Sequence, residues 1–316
     1  MIHWGIIGAG NIANRFAIGL SYDERATLYA VACRTLEKAQ AFKKEHPCEK
    51  VYDSYEALLE DANIDVVYIA LPHGYHYEWA KKAILKGKAV LCEKPAMMNA
   101  REMKEIRDLS NVHSVFFMEA MKTRFVPLYK ELVEKIEYGL IGDILKIETA
   151  YCSYHPYTTE SYIYDSYQGG CLLDTGIYNV GYLDTFIKGD FTVEKVVSNT
   201  YENGVDTYIH ATITSDTITA IVECALDRQK SKQAVITGTK GNIVIEQLHR
   251  PQIATINITN HPSFTIERAY EHDDFYSQIA HVNTCLQDQL LESPIMSKED
   301  SLRCAKMLDA IREAIK

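Results

Sequence analysis

The stretch GIIGAGNIA, residues 5–13, sets the spacing Gly8-x-Gly10-x-x-Ala13 directly behind a short apolar run. Two glycines let the chain turn sharply and bring its backbone close to a ligand, and a helix starting at Asn11 offers unbonded N–H groups and a partial positive end to an anion. A glycine pattern alone is weak evidence. It gains force where it closes the first strand of a strand–helix–strand unit, the place where a dinucleotide pyrophosphate meets a helix N-terminus. Gly8, Gly10, Asn11 and Ile12 are the expected pyrophosphate-binding residues.

The flanking chain supplies that context. Apolar runs such as ATLYAVACR, DVVYIALP, AVLCEKP and VFFMEAM alternate with helical patterns such as LEKAQAFKKEH, HYEWAKKAILKGK and NAREMKEIRDLS. Such alternation predicts βαβ units around a doubly wound parallel sheet. Beyond about residue 122 the pattern changes to successive alternating strands, from FTVEKVVSNTYE to FTIERAY, with one helix near 170–188 ahead of them and two helices at the end. This predicts an α+β domain with a large, mostly antiparallel, open-faced sheet. With 316 residues, one core no longer suffices, and the expected domains are 1–121 and 122–316, the C-terminal helices packing back on the first domain as an alternative.

Composition narrows the partners. A net charge of -10 argues against nucleic acid or an anionic membrane, leaving a small molecule as the expected ligand. Eight scattered cysteines without a C-x-x-C pair read as reduced thiols of a cytoplasmic protein. The first residues lack the basic start of a signal peptide, and no run approaches a membrane span. At the end of the second strand stand Cys33 and Arg34 where an NAD enzyme would carry an acid, so Arg34 points to a 2′-phosphate and to NADP, with NAD as the alternative.

The segments GAGNIA, LPHGYHYEWA, LCEKPAMM, GGCLLDTGIYNVGYL and ITGTKGNIVIE follow one another in an order that resembles the glucose-fructose oxidoreductase and inositol dehydrogenase (Gfo/Idh/MocA) family over nearly the whole chain. FMEAMKTRFVP and Tyr178 look closest to the branch of dimeric dihydrodiol dehydrogenases. The resemblance implies Lys94 as catalytic lysine, Asp174 as motif acid, Tyr178 as acid/base, and Leu71, Pro72, His73, His76 and Glu93 as cofactor-side residues. It also implies a homodimer or higher homo-oligomer formed through the C-terminal sheet.

Physical reasoning supports the same three residues. Lys94 follows a predicted sheet strand at its ligand-binding end, and Asp174 and Tyr178 stand i and i+4 on one predicted helix. Hydride transfer from a carbinol needs a base for the hydroxyl proton; a phenol near a lysine ammonium is displaced toward that role, with Lys94 itself as the alternative acid/base. Arg124, Tyr154 and His155 are the expected substrate-side residues, the last two in a segment with six tyrosines between 151 and 167. His73-x-x-His76 lacks a third ligand at matching spacing, so no metal is expected. Lys122, Ser161 and Gln168 stand where relatives of this branch often carry tryptophan, arginine and glycine. The expected function is NADP-dependent oxidation or reduction of a sugar, cyclitol or diol at a secondary alcohol or ketone; the rivals are a non-catalytic sensor of the same fold, and an NAD(P)-dependent enzyme acting on imines or tetrapyrroles.

Overall fold

Strands β1 (Ile2–Ile7), β2 (Ala26–Ala32), β3 (Lys50–Tyr52), β4 (Val66–Ile69), β5 (Ala89–Cys92) and β6 (Phe117–Glu119) run parallel in the order β3-β2-β1-β4-β5-β6. Every residue of β4 and β5 is buried, as expected for strands covered on both faces by helices. Those helices are α1 (Asn11–Leu20), α2 (Leu36–Glu45), α3 (Tyr55–Glu60), α4 (His76–Leu85) and α5 (Ala100–Val112). The strand order reverses between β1 and β4, so the carboxyl ends of these two strands flank the crevice where sheets of this type hold ligands.

The computed structural model describes residues 1–315. The chain divides into two units, Met1–Lys122 with Glu271–Leu302, and Thr123–Tyr270 with the chain from Arg303 onward. In the first unit, α8 (Tyr276–Gln287) lies against α1. Trp4 Nε1 donates to Asn283 Oδ1 at 2.9 Å, and Asn283 Nδ2 donates to Asp23 Oδ2 at 2.9 Å. Asp23 is held down to about 2, chiefly by hydrogen bonds from Arg25.

The second unit opens with α6 (Pro127–Glu137), β7 (Ile144–Cys152) and α7 (Ile177–Phe186). Seven strands follow: β8 (Thr192–Thr200), β9 (Asp206–Ser215), β10 (Ile218–Ala225), β11 (Gln233–Gly238), β12 (Gly241–Glu246), β13 (Ile253–Ile258) and β14 (Phe264–Glu267). The sheet order is β14-β13-β12-β11-β7-β10-β9-β8, and only the β7–β10 pair is parallel. The parallel sheet plus mostly antiparallel sheet read from the sequence is thus the architecture observed.

Alternation along the strands separates two faces of the second sheet. Ile209, Ala211, Ile213, Ala220, Val222, Ala234, Ile236 and Ile243 are fully buried, while Tyr208, His210, Thr212, Val235 and Val244 on the other face are half-buried. Each large side chain so buried contributes about 1.5–3 kcal/mol. The helix α7 packs against β7 and β10, and every residue from Ile177 to Asp184 is buried. A helix buried all round is part of the core, so its side chains are fixed by packing. Within the same unit, Asp184 is fully buried and accepts from Arg124 Nη2 at 2.5 Å and from Arg303 Nε, of α9 (Lys298–Glu313), at 2.7 Å. Among the described residues no helix is long and apolar enough to cross a membrane.

Candidate active site

At the carboxyl end of β1 the backbone itself selects glycine. Gly8 has φ +98°, and a Cβ there would lie 2.5 Å from the Ala70 carbonyl oxygen. Gly10 is different, because a Cβ there would meet nothing within 4 Å. Its bareness leaves room that the protein does not fill. The helices α2, α3 and α5 are capped by the side chains of Thr35, Ser54 and Asn99, whereas α1 has no side-chain cap after Gly10. An uncapped helix start behind an open glycine fits a pyrophosphate.

The same turn opens on a cavity of about 640 Å³. Gly8, Gly10, Cys33, Arg34, Leu71 and Pro72, all expected at the cofactor, line it together. Asn11 is exposed and Ile12 half-buried at the start of α1. Burial pushes the Cys33 thiol up, and Lys38 opposes that shift, which places a second cation beside Arg34. Lys38 also lines the cavity, as do Tyr55 and Trp79, whose rings meet edge to face at 4.8 Å. Sequence reasoning missed Lys38, which stands in the first turn of α2, just after Arg34 and the N-cap Thr35.

Glu93, His73 and His76 lie beneath the segment that carries Lys94. All three are buried, and none lines the cavity. Glu93 Oε1 accepts from the Tyr68 hydroxyl, and its Oε2 accepts from the Lys94 backbone N–H at 3.2 Å. Burial raises its carboxyl. His76 Nδ1 faces the Pro95 carbonyl at 2.9 Å and Nε2 the Leu71 carbonyl at 2.7 Å, with burial lowering the imidazole. Glu119 Oε1 accepts the Ala96 N–H at 2.8 Å. These groups brace the segment after β5 from beneath, including the cis Lys94–Pro95 peptide. They hold the backbone on either side of Lys94, which is half-buried.

In the second unit, Asp174 lies in a π-helical turn, Leu172–Gly176, that runs into α7, rather than in the single α-helix expected from the sequence. No residue type marks such a turn, and π turns recur at functional positions. Asp174 is half-buried and Tyr178 is 8% exposed. The glycine pair ahead of them is required by close neighbours. A Cβ on Gly169 would lie 2.2 Å from the Ile163 carbonyl oxygen, and one on Gly170, at φ +106°, would lie 2.2 Å from Asp206 Oδ1.

Asp206 anchors the turn. Its Oδ2 accepts the Leu172 N–H at 2.7 Å and the Cys171 thiol at 3.2 Å, and burial raises its carboxyl. Removing both acceptors in Asp206→Ala is expected to cost about 1.5–3 kcal/mol and to speed amide exchange over residues 171–176, while Asp206→Asn keeps one acceptor and changes both less. Exchange measured by mass spectrometry checks this; equal behaviour of the two variants would deny the anchoring role.

The ring of Tyr178 lies 5.6 Å from that of Tyr151 and 5.9 Å from that of His249, and the latter two are 4.7 Å apart. Tyr151 and His249 therefore wall the phenol, and sequence reasoning selected neither. Tyr154 and His155 follow β7 instead, Tyr154 61% exposed and the His155 carbonyl accepting from the Tyr164 hydroxyl at 2.7 Å. Arg124 is corrected as well. It is 5% exposed and committed to Asp184 and to the Gly181 carbonyl, which makes it a core residue, not a substrate contact.

Comparison with known proteins finds matches to both parts of the chain. Residues 2–121 match the oxidoreductase family with an NAD-binding Rossmann fold (GFO_IDH_MocA), and residues 129–244 match the GFO/IDH/MocA C-terminal domain. Trans-1,2-dihydrobenzene-1,2-diol dehydrogenase of Xenopus laevis is 33% identical over 332 residues, covering 99% of this chain and 97% of that protein. The enzyme of the same name from Mus musculus is 33% identical, with the same coverage. Among solved structures, a 3-ketoreductase from Actinomadura kijaniata in complex with NADP and TDP-benzene is 25% identical with a TM-score of 0.89, covering 99% of this chain and 97% of that one. A levoglucosan dehydrogenase shares the fold at 20% identity and a TM-score of 0.89, covering 99% of this chain and 96% of that one. With both of its domain models matched in order and full-length relatives at one-third identity, the chain belongs to the Gfo/Idh/MocA oxidoreductase family.

Proposed function

We propose that the protein is an NADP-dependent oxidoreductase that moves hydride between nicotinamide and a secondary alcohol or ketone of a sugar, cyclitol or diol. The observation that carries this reading is the built placement of Tyr178: a phenol on a core helix, one turn after Asp174, with a π turn anchored by Asp206 between them and the glycine pair. The dihydrodiol dehydrogenase names of the full-length relatives, and the NADP bound by the ketoreductase, support the substrate class and cofactor. A sensor would need no such proton-handling group.

The dinucleotide supplies the hydride acceptor or donor. In this reading Tyr178 takes the hydroxyl proton during oxidation and returns it to the carbonyl oxygen during reduction. Lys94 is the alternative acid/base that the family resemblance offers, and Asp174 accepts a hydrogen bond from a neighbouring hydroxyl. Such a carboxylate favours substrates with a second hydroxyl next to the reacting carbon.

Arg34 and Lys38 support NADP over NAD. Of the carboxylates lining the cavity, Glu56 and Glu78 are both paired with Lys82, at 2.8 and 2.7 Å. Arg34→Ala is expected to raise KM for NADP about 10–100-fold with a much smaller change for NAD, the loss of a charged hydrogen bond. Initial-rate kinetics with both cofactors checks this, and equal effects would contradict 2′-phosphate binding. All eight cysteines are unbridged, which supports a cytoplasmic setting. The half-buried open face of the second sheet is the surface proposed for association of copies into a dimer.

A further inference from the structure

We propose that the substrate carries an anionic group, a carboxylate or a phosphate, bound by Lys232 and Arg250 beside Tyr178; this deepens the reading above and rests on it. Lys232 immediately precedes β11, and Arg250 follows His249 in the segment after β12. The two stretches are joined by the Leu248 N–H, which donates to the Lys232 carbonyl at 2.9 Å. The segment is fixed from its other side as well. The Tyr182 hydroxyl donates to the Leu248 carbonyl at 2.9 Å, and Thr123 Oγ1 donates to the His249 carbonyl at 2.9 Å.

Lys232 Nζ stands 4.9 Å from the centroid of the Tyr151 ring, the ring that adjoins both Tyr178 and His249. A cation is thereby placed one aromatic ring away from the assigned acid/base. Burial, and next the charge of Arg250, lower the Lys232 ammonium. Two neighbouring cations that disfavour each other gain from an anion brought between them.

The pairing pattern makes this wall unusual for the chain. It holds 43 acidic against 33 basic residues, yet neither Lys232 nor Arg250 forms an ion pair among the described residues. Just upstream, Lys230 is paired with Glu223 at 2.5 Å and Arg228 with Asp227 at 2.6 Å. Lys232 is half-buried and Arg250 is exposed, so an incoming anion reaches Arg250 from solvent and Lys232 over the tyrosine. Tyr151, with the Lys232 ammonium over its ring and Arg250 in the segment hydrogen-bonded to Lys232, forms a recognition surface for an acidic or phosphorylated polyol.

The test uses the full chain loaded with NADP, titrated calorimetrically with glucose, glucuronate and glucose 6-phosphate at low and high salt. At least one anionic probe is expected to bind tenfold or more tightly than glucose, with the advantage shrinking at high salt. Preference for glucuronate or for glucose 6-phosphate decides between carboxylate and phosphate. The double variant Lys232→Gln, Arg250→Gln is expected to reduce the advantage at least tenfold, and Lys232→Arg to retain it, which separates charge from folding. Glucose binding as tightly as both anions, or an advantage that survives the double substitution, would overturn the proposal. Because binding is read without turnover, failure of the redox reading would appear separately, as no change in nicotinamide absorbance with any probe.

Discussion

Replacing Tyr178 by phenylalanine is expected to lower kcat by about 10²–10⁴-fold, the usual contribution of a positioned acid/base. The substitution removes one oxygen and keeps the ring that packs against Tyr151 and His249 at 5.6 and 5.9 Å. Folding and NADP binding, which depends on the first unit, are expected to persist, so the loss falls on turnover. Steady-state rates followed by NADPH absorbance, with a fluorescence titration of NADPH alongside, separate the two. Undiminished turnover would transfer the proton to Lys94, and Lys94→Ala would then show the larger deficit.

A comparable effect, on stability instead of rate, is expected at Asp184. Its carboxylate is fully buried and accepts from Arg124 and Arg303, whose side chains are 5% and 22% exposed. Asp184→Ala leaves a buried guanidinium uncompensated, a change that costs about 3–5 kcal/mol. That is a large part of the total of about 5–15 kcal/mol typical of a folded domain. Urea unfolding should show a much lower midpoint for Asp184→Ala, while Arg303→Ala, which removes the more exposed arginine and leaves Asp184 paired with Arg124, falls less. An unchanged midpoint would mean that water replaces the carboxylate and that the cluster is less dry than its burial implies.

The fold was legible because its signals are local. The glycine spacing at Gly8 and Gly10, and the change from helix-separated strands to successive alternating strands, depend on neighbours a few residues apart. The dinucleotide cavity followed from the same local signals, with Lys38 overlooked. Arg124 was read as a substrate-side residue because its partner Asp184 lies 60 positions away, and nothing near it in the sequence announces a buried ion pair. Tyr151 and His249 escaped for a related reason. Strand register and the loop after β12 bring them to Tyr178, and a tyrosine-rich segment does not say which of its rings faces inward. Glu93 and His76 sit within the recognised motifs but serve the backbone of the Lys94 segment, a distinction that only burial and hydrogen bonding reveal.

The bond from Trp4 to Asn283 spans 279 positions, and Asn283 also holds Asp23. During translation, the helix that covers α1 emerges only after all of residues 123–270 have been made. At about 5–20 residues per second, the nascent first unit waits on the order of ten seconds with an apolar flank uncovered. The ribosome-bound chain is therefore a natural client for chaperones, and a fragment ended at residue 122 would keep that flank exposed permanently.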